Sequence, residues 1–423
     1  MTNELAITWG RAPRSRAAQT AVEYLLRELE GSEDRKRARR KADRDRLEQA
    51  LGALALELFA ARYDCTDGWR RYSRAKDSYK PRDRYSRSPV THTAACTAAD
   101  WLLAAGYAEG WRGHYRRYEG FNGNPGVGEQ SRIRATEKLT ALLGNEFGLD
   151  QHSVGFAPWI ETVILRDGRG EEKRDVPYED TAETNRFRDN LARINGHLAG
   201  FRLSRIENGS VVHLGPSVLR RIFSRGSFEL GGRFYDAPWI EMASEDRPSI
   251  LIDGEETAEL DFSALHPRMI YQLEGAPLAP DVDPYGIGKW SEGERRSWAK
   301  HAFQKLLNAK PQSSIRRPPD VPYSKLKADE WNDLVADLIE HHQEISEWFR
   351  LGKGLRLQRI DSEIAEGVLL RMVDQGVCCL PIHDGFIVPS SHTTTLRRAM
   401  VDAYTEVMSR MGGSDGEPVV HAR

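Results

Sequence analysis

The chain has 423 residues, 39% of them hydrophobic and 29% charged, with 36 Gly and 20 Pro, the usage of a multi-domain globular protein with two or three cores. No run of about 18 apolar residues is present, and Met1 to Thr20 lacks a charged-then-apolar leader, so neither a membrane partner nor secretion is expected and the location expected is cytoplasmic. The net charge of −2 argues against a protein that coats polyanions, and Cys65, Cys96, Cys378 and Cys379 form no C-x-x-C pair, which makes them reduced packing residues.

Residues 1–90 read as a charged helical region. A short helix over Ala17 to Leu29 precedes Arg35 to Arg46, where eight basic residues stand against two acidic ones. Such a run is either a grip on a phosphate backbone or a solvated face. Leu47, Leu51, Leu54, Leu58 and Phe59 recur at helical spacing and predict a core-facing helix to Arg62. A polar connector to Pro89 carries Trp69, Arg70, Arg71, Tyr72, Lys80, Arg82, Arg84 and Arg87.

Residues 91–150 predict a helix from Thr93 to Ala105, a strand over Tyr107 to Arg117, a Gly/Asn/Pro loop from Gly120 to Gly128, a strand over Ser131 to Ala135, and a helix from Thr136 to Leu143. Helix, hairpin and helix in this order suggest a winged-helix module, or else a small helical domain with solvated arginines. In the winged reading Arg112, His114, Arg116, Arg117, Arg132 and Arg134 line the hairpin and meet a nucleic-acid backbone. Residues 151–224 read as a connecting, thumb-like layer, with a strand over Ile160 to Leu165 and a helix from Thr181 to Leu198. His197 and His213 there are read as packing or surface residues.

The chemistry is expected from residue 225 onward. Gly231-Gly232-Arg233 offers close backbone approach beside a guanidinium fit for phosphate. A hairpin turning at Asp253-Gly254 leads to Leu260-Asp261-Phe262, a carboxylate at a strand end. Ser263 and Pro267 look like the cap and first turn of the following helix. Ser291 to Lys310 predicts a helix with Arg296 and Lys300 on one face, spaced to hold a triphosphate or simply solvated.

A helix over Asp329 to Phe349 contains His341-His342, adjacent and so on different faces, a poor metal site. Leu355 to Gln375 predicts a further helix bearing Gln358 and Asp361. It runs into Cys379 to Val388, a hairpin with His383-Asp384-Gly385 at its tip, and residues 401–423 close the chain as a helix and tail. Two aspartates on strand ends of one sheet suit divalent metals engaged in phosphoryl transfer, although a turn Asp and a strand-end Asp are common for structural reasons alone.

Gly232-Arg233, Asp261-Phe262-Ser263 with Arg268, Arg296 and Lys300, Gln358, and His383-Asp384 stand in the order found in the palm and fingers of family A nucleic-acid polymerases. The chain resembles that family, which includes the single-subunit RNA polymerases, over roughly residues 225 to 390. The resemblance implies an α+β right-hand palm and fingers behind an N-terminal, mainly helical module. It implies two Mg²⁺ or Mn²⁺ ions on Asp261, Asp384 and the Phe262 carbonyl, and an incoming triphosphate on Arg296 and Lys300, Lys300 also protonating the leaving pyrophosphate. It places His383 near the primer end, and Arg233, Arg268 and Gln358 near nucleic acid. His266 replaces a family Glu that excludes ribonucleotides, Gln304 replaces an aromatic, and Gly385 replaces an acid, which leaves the sugar open. The stretch Asp261 to Pro267 also looks like the matching motif of family B, in which His266 would take a planar role against the sugar.

The leading expectation is therefore a compact template-directed polymerase, either a DNA polymerase or a primase-like or RNA polymerase, without a proofreading exonuclease. Its partners would be nucleic acid, nucleoside triphosphates and replication proteins. The alternatives are a non-catalytic plasmid- or phage-type replication initiator, and a two-metal nuclease drawing on Glu259, Asp253 and Asp361.

Overall fold

The computed structural model describes residues 5–63, 67–80, 83–116, 127–215, 218–319 and 321–423. Cys65, Arg117 and most of the loop expected at Gly120 to Gly128 lie outside the described residues, as does the side chain of Arg116. Helix and sheet are mixed, and the chain divides into two units. The first is Met1–Thr162, Leu198–Val218 and Ala243–Glu255; the second is Val163–His197, Leu219–Met242 and Glu256–Arg423. Among the described residues no helix is long and apolar enough to cross a membrane.

In the first unit, helices α1 (Arg16–Ser32), α2 (Lys41–Ala60) and α3 (His92–Ala104) share one apolar core. Leucine spacing in α2 predicts a single buried stripe, yet every residue from Ala50 to Ala60 is buried. Small residues between the leucines let neighbours close in from all sides: a Cβ on Gly52 would stand 3.0 Å from Val22. The α2 helix also buries Glu57, which accepts from Arg11 at 2.9 Å and Arg70 at 3.0 Å, so neither the carboxylate nor the 1%-exposed Arg70 is left unpaired.

Arg70 belongs to a strand where the sequence suggests a polar connector. Strands β1 (Leu5–Ala6), β2 (Arg70–Tyr72), β3 (Ala108–Trp111) and β4 (Ser131–Ala135) form a four-stranded sheet in the order β1-β2-β4-β3. The expected hairpin is present as β3 and β4, with Trp111 opposite Arg132 and Glu109 opposite Arg134, but β2 flanks it, so it does not stand alone.

The second unit begins with the strand Val163–Asp167, starting three residues later than its apolar run suggests, and helix α4 (Ala182–Leu198), which buries Phe187, Leu191, Ile194 and Leu198. Strands β5 (Arg220–Ser224) and β6 (Ser227–Tyr235) turn through Arg225 and Gly226, both left-handed. Gly231 and Gly232 are also left-handed, and a Cβ on Gly232 would lie 2.7 Å from the Phe223 ring and 3.1 Å from Ser362 Oγ. The close approach that Gly232 permits is thus to side chains.

The central strand of this unit is β7 (Glu255–Phe262), flanked by β9 (Gly385–Pro389) on one side and β10 (Val420–Ala422) on the other, with β8 (Leu380–Ile382) beyond β9. Helices α5 (Leu265–Leu273), α6 (Gly293–Asn308), α7 (Ala328–His341), α8 (Gly354–Asp374) and α9 (Thr393–Arg410) complete it. Two expectations fail here. The helix expected to run to Phe349 stops at His341, where buried His342 bonds Tyr271 Oη at 2.8 Å and the Pro284 carbonyl at 2.9 Å. Beyond Arg410 the chain is not only a tail but returns as β10.

Candidate active site

Alternation in β7 decides where Asp261 points. Leu260 and Phe262 are buried, so the side chain between them faces the opposite way, into a pocket of about 390 Å³. Antiparallel pairing sets Asp261 opposite Gly385, and the Phe262 N–H donates to the Asp384 carbonyl at 3.2 Å. Both aspartates therefore line the same pocket, although most of the second unit's sequence separates them. The His383-Asp384 turn joining β8 to β9 holds His383 in the left-handed region at φ 56°, a strained position for a residue with a Cβ.

The helix after β7 is entered differently from the expectation. Ala264, at φ 50°, is its N-cap with no side-chain hydrogen bond, and the Ser263 N–H donates to the Val419 carbonyl at 2.7 Å. Ser263 is spent on anchoring the segment before β10, and that anchoring carries His421 and Arg423 into the pocket.

Electrostatics mark Asp261. Its Oδ1 is buried with no hydrogen-bond partner, while Oδ2 accepts from Arg423 at 2.6 Å. Burial, and next the charge of Asp384, push its carboxyl up to about 6, against the pull of Arg423. Buried Tyr285, in the same pocket, has its hydroxyl pushed up by burial and by Asp384. Two mutually repelling carboxylates, one with an orphaned oxygen, form a hard-oxygen donor set that a divalent cation would relieve. Among the described residues no three or more His, Cys, Asp or Glu side chains are arranged to hold a metal ion, so most coordination positions on such an ion would fall to ligand or water oxygens.

The α6 helix lines the same pocket with Arg296, Lys300, Phe303, Gln304 and Leu307. Lys300 is exposed, its ammonium 5.9 Å from the centre of the Tyr285 ring. Arg296 is tied to Asp283 by bonds of 2.5 and 3.0 Å; although burial opposes it, that pairing holds the Asp283 carboxyl below the usual range. The cation pair expected from spacing is thus together, with one member steered by an acid.

Asp361 is the residue whose importance the sequence understates. Nearly fully buried on α8, it accepts from Arg233 at 3.1 and 2.5 Å and from His266 Nε2 at 2.8 Å. Burial would raise its carboxyl, but the His266 bond and the Arg233 charge hold it below the usual range. Arg233 and His266 line the pocket from this common anchor.

Other residues fall elsewhere. Arg268, expected near nucleic acid, is buried and donates to the carbonyls of Ala279, Pro280 and Val282 at 3.1, 3.1 and 2.7 Å, closing the loop between α5 and α6. Gln358 is half-buried on α8 and is not among the pocket residues. The Phe262 ring is buried, its centre 6.0 Å from that of Tyr404, so only its backbone is available to the site. His383 packs edge-on against Tyr235, ring centres 6.0 Å apart. The hairpin arginines belong to the first unit and are not part of this pocket. The sequence reading gives His421 and Arg423 no role; the short apolar pair Val419-Val420 is the sequence signal for their strand.

No protein-family model matches the chain, and no curated protein matches it. Among solved structures it is similar to the POL domain of Pol1 from M. smegmatis in complex with DNA primer-template and dNTP, at 11% identity and a TM-score of 0.34. The match covers 98% of this chain and 66% of that one, so the chain spans about two thirds of that neighbour's length.

Proposed function

We propose that the protein is a template-directed nucleotidyltransferase of the polymerase type, joining a nucleoside triphosphate to a 3′-hydroxyl with release of pyrophosphate. The observation that carries the reading is the pairing of β7 with β9, which sets two carboxylates in one pocket that Arg296 and Lys300 also line. Acids that repel each other, facing cations on a helix, fit a ligand that is itself a metal-bound polyphosphate. In this reading β7 to β10 with α8 and α9 act as the palm, and α6 and α7 as the fingers.

Asp261, Asp384 and the Phe262 carbonyl are the residues that would hold Mg²⁺ or Mn²⁺. When bound, such ions neutralise charge on the phosphoryl oxygens and lower the pKa of the attacking hydroxyl. The chain's own groups do the rest. Lys300 reaches the terminal phosphates and gives a proton to the departing pyrophosphate, while Arg296, steered by Asp283, orients them. His266, its Nε2 fixed on Asp361, offers the flat ring that bounds the sugar. Arg423 covers Asp261 Oδ2 and yields that oxygen when a cation enters.

Extension of a labelled primer on a defined template, with Mg²⁺ or Mn²⁺ and with dNTPs or NTPs in separate lanes beside an unprimed lane, tests the reading. Templated products that vanish in Asp261→Ala and Asp384→Ala, with nucleic-acid binding retained, are expected. Product formation by either variant at the wild-type rate, or no product from wild type in any lane, overturns it. Cleavage of the strand without triphosphates would instead identify a nuclease.

A further inference from the structure

We propose that the outer face of the four-stranded sheet in the first unit is a stacking platform for single-stranded nucleic acid, with Trp111 and Trp69 receiving unpaired bases. No residue of this face lines the pocket described above, and the inference does not depend on the nucleotidyl-transfer reading.

Side-chain alternation divides this sheet into two faces. Tyr72, Ala108 and Ile133 point inward and are buried in the core with α2 and α3. In-register neighbours point the same way, so the row Arg71, Arg132 and Trp111 lies on the other face. Arg134 and Glu109 form the next row, and Trp111 is 41% exposed.

The rings on this face are organised by cations. The centres of Trp69 and Trp111 lie 4.9 Å apart, the Arg132 guanidinium sits 5.1 Å from the Trp111 ring, and that of Arg134 sits 4.7 Å from Trp69. The two rings are tilted by 60° to each other, and with a guanidinium beside each the pair is held in place while Trp111 keeps apolar area in water.

Charge decides between bases and backbone as the main contact. Arg112 pairs with Asp100 at 3.0 Å, Arg132 with Glu129 at 3.5 Å and Arg134 with Glu109 at 2.5 Å. A face whose arginines are matched by carboxylates pulls only modestly on a phosphate backbone, so the ring faces must supply much of the affinity. Duplex bases are already stacked on each other, and only unpaired bases can use such a platform. The arginines expected to meet a nucleic-acid backbone therefore serve here mainly to hold the rings, with secondary contacts to the phosphates of the same single strand.

Fluorescence anisotropy of the full chain with labelled 20-nucleotide dT and rU strands, and with a 20-base-pair duplex, tests this without Mg²⁺ or triphosphate. Wild type is expected to bind at least one single strand more tightly than the duplex. Trp111→Ala should weaken that binding about 10-fold and Trp69→Ala/Trp111→Ala about 100-fold, while Trp111→Phe retains most of it. Loss for dT alone, rU alone or both names the strand used. The assay contains neither Mg²⁺ nor triphosphate and its variants lie outside the pocket, so failure here and failure of the active-site reading are distinguishable. Single-strand binding unchanged in both Trp variants, tighter binding to duplex, or an equal loss for duplex and single strand overturns the proposal. Trp111 is exposed, so Trp111→Ala with an unchanged circular dichroism spectrum keeps the result interpretable even if the double variant misfolds.

Discussion

Asp261→Asn should make the metal-free protein more stable while ending the nucleotidyl transfer proposed for it. The carboxyl is raised from 3.8 to about 6, so the unfolded chain ionises above pH 4 whereas the folded chain resists until about pH 6. A group whose folded value is raised in this way costs stability once ionised: the penalty grows between pH 4 and 6 and is constant above. Its ceiling is about 3 kcal/mol, and losing the charged partner of Arg423 reduces the gain from an amide, so about 1–3 kcal/mol is expected at pH 8 and none at pH 4. Urea unfolding in EDTA at both pH values measures this, with hydrogen exchange in β7 assigning the transition to the second unit. Added Mg²⁺ should then stabilise wild type, by about 1.4 kcal/mol at ten times its Kd, and not the variant. An Asn variant less stable than wild type at pH 8 in EDTA would refute the electrostatic account of the site, and an equal Mg²⁺ response in both would refute the metal assignment.

Removing Arg423 as Arg423→Gln takes away the group that pulls the Asp261 carboxyl down, so the acidic limb of the pH–rate profile should move to higher pH; an unmoved limb contradicts the pairing. Asp361→Asn removes the charge and one of the two acceptor oxygens that Arg233 and His266 share and should cost about 3–5 kcal/mol in urea unfolding, with Arg233→Met in the same chain recovering part of the loss. A Cβ on residue 385 would lie 3.2 Å from Asp261 Oδ1 and 3.3 Å from the Leu260 carbonyl, so Gly385→Ala should cost about 1 kcal/mol and lower turnover more than stability implies. Buried His342 titrates near 4 instead of 6.5, so the stability it contributes is lost as pH falls from 6.5 toward 4, by about 3 kcal/mol. His342→Gln should flatten that limb in calorimetry.

Much of the second unit was readable because its signals are local. Alternating Leu260-Asp261-Phe262, the His383-Asp384-Gly385 tip and the helical stripe of α8 are patterns of neighbours, and each appears as expected. Spacing of Arg296 and Lys300 on one helix face likewise needs only the helical period. The sequence failed wherever a residue's role depends on a distant partner. Arg268 carries no mark of the loop carbonyls it holds, nor Ser263 of the Val419 carbonyl that takes its N–H. His341-His342 lies inside an apolar period, and only Tyr271 and Pro284 show why the helix stops there.

The sequence by itself determined which residues alternate, which lie on one helix face and which turns are tight, because these follow from backbone periods of two and 3.6 residues. Only the tertiary structure decided that Asp261 and Asp384 share a pocket, that Asp361 anchors Arg233 and His266, that Arg423 returns on β10 to cover Asp261, and that Trp69 packs at a tilt against Trp111. Each of these is a contact between segments far apart in the chain, fixed by sheet register and by how one helix packs against another. A raised carboxyl or an exposed aromatic pair is a property of that assembled neighbourhood, and no stretch of the sequence contains it.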